Sequence, residues 1–152
     1  MIKGEHRSMK TIYDKNQSKI VEFIGNDDSS MKDLKDLILR NAVFTRANLE
    51  GWFLDNCYCE GADFEQADLY WAHLDYCNFS RCNFSNSCLR GISARGVIFW
   101  KADLRGADFS RDNLGGHNTF FHCDFSEMKW DETSNFVIVP NFVKHTCNFQ
   151  RR

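Results

Sequence analysis

The stretch GADFEQADLY, Gly61–Tyr70, decides the fold. It is two five-residue words, each with Ala second, Asp third and a large apolar residue fourth, and KADLRGADFS, Lys101–Ser110, repeats the pattern. A helix shows a period of 3.6 and a strand a period of two. Period five requires a path that turns one corner per word, so internal repetition has to be read before local propensity.

Counting by fives from Phe44 gives Phe44, Leu49, Leu54, Cys59, Phe64, Leu69, Leu74, Phe79, Phe84, Leu89, Ala94, Phe99, Leu104, Phe109 and Leu114. Cys59 and Ala94 are its weak members. Two residues earlier runs a mostly small column, including Ala42, Ala47, Cys57, Ala62, Ala67, Ala72, Cys77, Cys82, Ala102 and Ala107, with Trp52 and Asp112 out of pattern. The position between the columns is mostly Asp or Asn, with Tyr58, Cys88 and Ile98 as departures. One large and one small inward residue per word fill a narrow interior. Stacked coils pair their backbone N–H and C=O groups with the coils above and below.

This pattern resembles the pentapeptide-repeat family, whose word is A-(D/N)-L-X-X, over about residues 41–130. The resemblance implies an all-β fold, a right-handed quadrilateral parallel β-helix with four words per coil. About five coils at ~4.8 Å each make a rod of roughly 25 Å. Four interior stacks are expected, with Phe44, Phe64, Phe84 and Leu104 on one face and Leu49, Leu69, Leu89 and Phe109 on the next. Leu54, Leu74, Ala94 and Leu114 form the third, and Cys59, Phe79 and Phe99 the fourth. After Leu114, Gly115-Gly116 is read as a one-residue insertion, with the column resuming at Phe120, Phe125 and Trp130.

Open coil ends expose strand edges and need covers. Residues 1–40 are assigned to an N-terminal extension, a strand pair in Thr11–Ile24 and a capping helix from Ser30 to about Arg40 carrying Met31, Leu34, Leu37, Ile38 and Leu39. Met9 offers an alternative start. Residues 131–152 are assigned to a C-terminal cap or a homodimerisation segment, with Asn135–Pro140 as an apolar strand.

The chain has 152 residues, a formal net charge of −2 and seven cysteines. No apolar run is long enough to span a membrane, and no global basic field points to direct nucleic-acid binding. Five cysteines fall within the repeat, which reads them as reduced fillers of a cytoplasmic protein; Cys57 and Cys77, one coil apart, lie within disulfide range. His117, His122 and Cys123, with His145 and Cys147 further on, match no standard zinc spacing. No nucleophile triad, phosphate loop or dinucleotide motif occurs, so neither an enzyme nor a cofactor is expected.

The surface carries the functional signal. Glu50, Asp55, Glu60 and Glu65 place one carboxylate on each face of one coil, whereas Arg90, Arg95 and Arg105 occupy the same word position later. Seven acidic residues and no Lys or Arg lie between Glu50 and Asp75, and six basic against two acidic residues between Arg81 and Arg111. Cross-coil pairs such as Asp75 with Arg95 account for part of this. Tyr70, Trp71 and Tyr76 are expected outside around one corner, with Trp100 on another face, and Gly51 and Gly91 are expected to leave the Trp71 indole uncovered. Exposed aromatics favour a protein partner, and the expectation is a binding scaffold. The alternative is a DNA mimic acting on a type II topoisomerase, as in similar repeat proteins that confer quinolone resistance. Its weakness is charge: ~25 Å of duplex carries about fifteen negative charges. A third reading is a rod that self-assembles through complementary charge.

Overall fold

The computed structural model describes residues 11–22, 32–114, 118–131 and 135–136. Its backbone is a stack of coils linked by parallel pairing at a spacing of twenty residues. The first face is the ladder Asp33, Phe53, His73, Ser93 and Thr119; the second is Ile38, Tyr58, Asn78, Ile98 and Asp124. The third is Val43, Asp63, Asn83, Asp103 and Lys129, and the fourth Asn48, Asp68, Cys88, Asp108 and Asn135. Most rungs are single bridges, because each face is only a few residues wide. Longer pairings join β3 (Ser93–Arg95) to β5 (Thr119–Phe121) and β4 (Asp108–Phe109) to β6 (Asn135–Phe136).

The corners explain the period. In each regular word the residue after the small column's predecessor closes a β-turn: Ala47 N donates to Phe44 O at 2.9 Å and Ala72 N to Leu69 O at 2.9 Å. The residue before the small one takes a left-handed backbone, as the third position of a type II turn requires. Asn41, Arg46, Asn56, Gln66, Trp71, Tyr76, Arg81, Asn86 and Lys101 all have φ between 55° and 61°, and Gly51, Gly61, Gly91, Gly96 and Gly106 serve the same role. In most words the Asp or Asn before the large residue then fastens the corner, as when Asp63 Oδ1 accepts from Glu65 N at 3.0 Å and Asp68 Oδ1 from Tyr70 N at 3.0 Å.

The interior follows the two columns. Phe44, Phe64 and Phe84 stack face to face, with centroids 4.6 and 4.7 Å apart. Phe79 packs edge-on to Phe64 and Phe84, and Phe99 stacks on Phe125 at 4.9 Å. Leu49, Leu54, Leu69, Leu74, Leu89, Leu104 and Phe109 are buried, as are Cys59 and Ala94. Each fully buried Leu or Phe contributes about 1.5–3 kcal/mol through removal from water.

Three differences from the sequence reading have physical causes. Among the described residues there is no helix, and residues 32–40 form two further words instead of a capping helix. Leu34 and Leu39 are fully buried and extend the five-residue column backwards. Their amides donate to Phe53 O at 2.7 Å and Tyr58 O at 2.8 Å, bonds to the next coil that an α-helix would not make. Ser30 and Met31 lie outside the described residues.

Second, Leu114 is not in the third stack but 82% exposed. Ala94 pairs with Phe120, and Ile98 with Asp124, so the twenty-residue step becomes twenty-six on the first three faces and, with Asp108 paired to Asn135, twenty-seven on the fourth. The insertion is six residues, a whole word and one more. The word that is expelled, Ser110–Leu114, has Asp112 at the inward small position, where its carboxylate would lose water without compensation. Asn118 takes that inward position and its amide completes the corner: Asn118 Oδ1 accepts from Ile92 N at 3.0 Å and Nδ2 donates to Phe109 O at 2.5 Å. Third, Trp130, expected in the column, is 53% exposed.

The strand pair is present as β1 (Thr11–Tyr13) and β2 (Lys19–Glu22), antiparallel, with an irregularity between Ile12 and Tyr13. Asp14 Oδ1 organises the turn by accepting from Asn16 N and Ser18 N, both at 2.8 Å. Ile12 is buried, Tyr13 O accepts from Val43 N at 2.8 Å, and Asp14 bridges Ala42, so this hairpin covers the third face of the first coil. Of the C-terminal segment, only Asn135 and Phe136 are described beyond Asp131; the rest of Asn135–Pro140 and the HTCNFQ echo lie outside the described residues.

Candidate functional site

The aromatic residues occupy neighbouring corners of one coil. Trp71 turns the chain from the fourth face to the first, and Tyr76 from the first to the second. Their backbones are left-handed, at φ 56° and 61°, a conformation uncommon for bulky side chains. They are 40% and 62% exposed. Each ring lies over a glycine one coil on. A Cβ at position 91 would sit 2.8 Å from Trp71 Nε1 and closer still to Cδ1, and one at position 96 would sit 2.8 Å from Tyr76 Cδ1. The indole is therefore not uncovered on both sides, since Gly91 provides its seat.

Trp71 and Tyr70 also hold the expelled word. Their rings stack at 4.9 Å. Trp71 Nε1 donates to Asp112 Oδ2 at 2.7 Å, and Tyr70 Oη accepts from Asn113 N at 3.0 Å. Arg90 donates to Arg111 O through Nε at 2.9 Å and Nη2 at 2.7 Å, and its guanidinium lies 5.8 Å from the Tyr70 ring centroid.

Trp100 belongs to a different assembly, along the corner between the second and third faces. Arg40 lies over the Tyr58 ring, and Arg81 and Lys101 over the Trp100 ring. Glu60 pairs with Arg81 at 2.9 Å and Arg40 at 3.6 Å, and Glu127 with Lys101 at 3.2 Å. The Tyr58 hydroxyl and the Glu60 carboxylate hold the Arg40 pKa above its ordinary value.

The charged girdles are partly consumed internally. Asp75 is buried, and burial alone would push its pKa up. The Arg95 guanidinium at 2.7 Å, the Arg95 amide at 2.9 Å and the Ser93 hydroxyl at 2.9 Å outweigh this and hold it below the usual carboxylate value. This is the cross-coil pair expected from the sequence. The Arg105 guanidinium likewise holds Asp103 low against its burial. Asp55 accepts from Asp75 N at 3.1 Å, Glu50 is exposed, and Glu65 is half-buried. No arrangement brings Glu50, Asp55, Glu60 and Glu65 together, because each stands at a separate corner.

The thiols are free in the six described cysteines, Cys57 and Cys77 included. Cys57, Cys77, Cys82 and Cys123 donate to the carbonyls of Leu34, Leu54, Cys59 and Ala94 at 2.8–2.9 Å. Burial pushes the Cys59, Cys77 and Cys82 pKa values well above the ordinary thiol value. His122 is exposed at a left-handed corner beside buried Cys123, and His117, His145 and Cys147 lie outside the described residues. Among the described residues, no cluster of three or more His, Cys, Asp or Glu is placed to hold a metal, and no helix is long and apolar enough to cross a membrane.

The coils define a parallel β-helix built from five-residue words. Residues 54–91 match the family model for pentapeptide repeats in eight copies, so this stretch is built of pentapeptide repeats. No curated protein matches it. Among solved structures it is similar to a pentapeptide-repeat protein of the Arabidopsis thaliana thylakoid lumen, at 17% identity and a TM-score of 0.44, covering 66% of each chain. It is also similar to the pentapeptide-repeat protein Rfr23 of the cyanobacterium Cyanothece 51142, at 20% identity and a TM-score of 0.39, covering 74% of this chain and 69% of that one. A third is QnrB1, a plasmid-mediated fluoroquinolone resistance protein, in a trypsin-treated variant, at 23% identity and a TM-score of 0.33, covering 72% of this chain and 61% of that one. The chain thus spans about two thirds of the length of these structures.

The sequence reading missed the left-handed corners and the seats at Gly91 and Gly96. The signal was present: Gly51, Gly61, Gly91, Gly96 and Gly106 all fall at the same position of the word.

Proposed function

We propose that the protein is a non-enzymatic scaffold of the cytoplasm that binds a protein partner through its rigid outer faces. The observation that carries this reading is the pair Trp71 and Tyr76, bulky aromatics kept at left-handed corners and still 40% and 62% exposed. A smaller residue would turn the corner with less strain. Large amphipathic rings on a rigid frame supply contact area at low entropic cost. The test is affinity capture on the full chain, comparing wild type with Tyr76→Ala. The reading expects a specific partner that Tyr76→Ala loses while Tm stays within a few degrees. A partner held equally by both would remove Tyr76 from the contact.

The acidic run from Glu50 to Asp75 favours a second reading, DNA mimicry directed at a type II topoisomerase. Against it, Glu60 and Asp75 are neutralised by Arg40, Arg81 and Arg95. A gyrase supercoiling titration, with and without a quinolone, separates the two. Inhibition or drug protection at micromolar protein would favour mimicry, and no effect would favour the scaffold.

A further inference from the structure

The expelled word is built as a fixed projection. Two successive coils hold it from behind: Tyr70 and Trp71 grip Asn113 and Asp112, and Arg90 binds Arg111 O and, at 3.0 Å, Asn113 Oδ1. Asp112 Oδ1 accepts from Leu114 N at 2.9 Å, which sets the direction of the Leu114 backbone. Asn118 closes the base of the insertion. The result leaves Leu114 82% exposed, and the Arg111 side chain is exposed beside it, with no ion pair among the described residues.

A lone exposed leucine is ordinary on protein surfaces. Leu114 differs because the fold had an interior column ready for it and because the residues that present it are themselves tied down. Holding a contact segment in place removes the ordering cost that a loose loop would meet on binding. We infer that Arg111–Leu114 is a preorganised docking element, in which Leu114 enters an apolar pocket of a folded protein partner and Arg111 meets a carboxylate at that pocket's rim. The inference rests on the scaffold reading and adds where the partner sits and what its surface must offer.

Charge selects this occupant. Arg90, Arg95 and Arg105 are paired with Asp108, Asp75 and Asp103, whereas Arg111, exposed beside Leu114, has no carboxylate partner among the described residues, and an acidic rim complements that one cation. A duplex would satisfy Arg111 through phosphate but leave Leu114 in water and place phosphates near the Asp112 carboxylate. An anionic membrane would gain too little from one buried leucine to hold the chain.

The test places a diazirine-bearing amino acid in the full chain at position 114 and, separately, at positions 76 and 86. Asn86 is exposed on a different corner and serves as the control. After irradiation in cells of the source organism, adducts are mapped by mass spectrometry. The protein joined at position 114 is then purified and titrated against the wild type and variants. The expected result is an adduct within a segment that carries both apolar and acidic side chains. Leu114→Asp should weaken binding by about tenfold or more, and Arg111→Glu by several-fold in a salt-dependent way. Leu114→Met should bind nearly as wild type, and all three variants should keep the wild-type Tm. Adducts from position 76 without any from 114 would overturn the docking element and leave the scaffold reading standing. No protein adduct from either position would overturn both. A partner that binds Leu114→Asp as tightly as the wild type, or an adduct only with nucleic acid or lipid, would also overturn the inference.

Discussion

Replacing Gly91 by Ala asks whether the Trp71 ring is seated where the structure puts it, and Gly51 supplies the matched control. Both glycines sit at the same position of the word, with φ of 68° and 67°. An added methyl therefore meets the same backbone strain at each, about 1–2 kcal/mol, offset by the same loss of unfolded-chain freedom, about 0.4–1 kcal/mol. Their surroundings differ. At position 51 the new Cβ would lie 3.7 Å from Lys32 Nζ, an ordinary contact. At position 91 it would lie 2.8 Å from Trp71 Nε1 and 3.1 Å from Asp112 Cβ. The indole would have to lift, weakening its bond to Asp112, and overpacking of this kind costs about 1–3 kcal/mol. Subtraction cancels the backbone terms, so Gly91→Ala should exceed Gly51→Ala by about 1–3 kcal/mol. In a chain of this size that is a further fall in Tm of about 2–12 °C. Urea titration followed by tryptophan fluorescence gives both numbers. In a Trp71→Ala background most of the excess should vanish, leaving the part due to the Asp112 Cβ contact, which makes the comparison a double-mutant cycle. Equal costs at positions 51 and 91, or an excess that survives Trp71→Ala undiminished, would refute the seating of the ring.

Other outcomes follow from the same coordinates. Phe64→Ala removes the middle ring of a three-Phe stack and should destabilise by about 3–5 kcal/mol in urea unfolding. Asp75→Asn should lower Tm at neutral pH. Because Asp75 and Asp103 are held below the usual carboxylate value, their stabilisation is present above about pH 4 and lost as pH falls through the folded-state values. The gap in Tm between wild type and the Asp75→Asn, Asp103→Asn double variant should therefore close as pH is lowered below about 4. Tyr76→Ala should leave Tm within a few degrees, since the ring is 62% exposed and alanine keeps the same Cβ at the corner.

Much of the architecture was legible because the inward positions obey a rule with little freedom. Phe44, Phe64 and Phe84 can repeat every twenty residues only if four words close a coil, and the Asp75–Arg95 pair followed from the same count. Two errors arose where local pattern competed with period. Leu34, Leu37, Ile38 and Leu39 have helical spacing as well as five-residue spacing, and pairing with the Phe53 and Tyr58 carbonyls decided between them. Leu114 kept the period but Asp112 broke its word, and one misplaced carboxylate outweighed one well-placed leucine. The aromatic corner was only half visible. Exposure of Trp71 and Tyr76 followed from the word, whereas their glycine seats and the grip on Asp112 and Asn113 depend on left-handed corners that propensity does not announce for Trp and Tyr.

The central claim is that the five-residue column is core through Phe109 and that the next word is turned out to project Leu114. Leu104→Asp and Leu114→Asp, compared by urea unfolding, test it most directly, since the two leucines hold the same position of the five-residue word ten residues apart in sequence. The account predicts that Leu104→Asp abolishes cooperative folding, because it buries an uncompensated charge, and that Leu114→Asp shifts stability by no more than about 0.5 kcal/mol. Unfolding by Leu114→Asp comparable to that by Leu104→Asp would return Leu114 to the core and contradict the account.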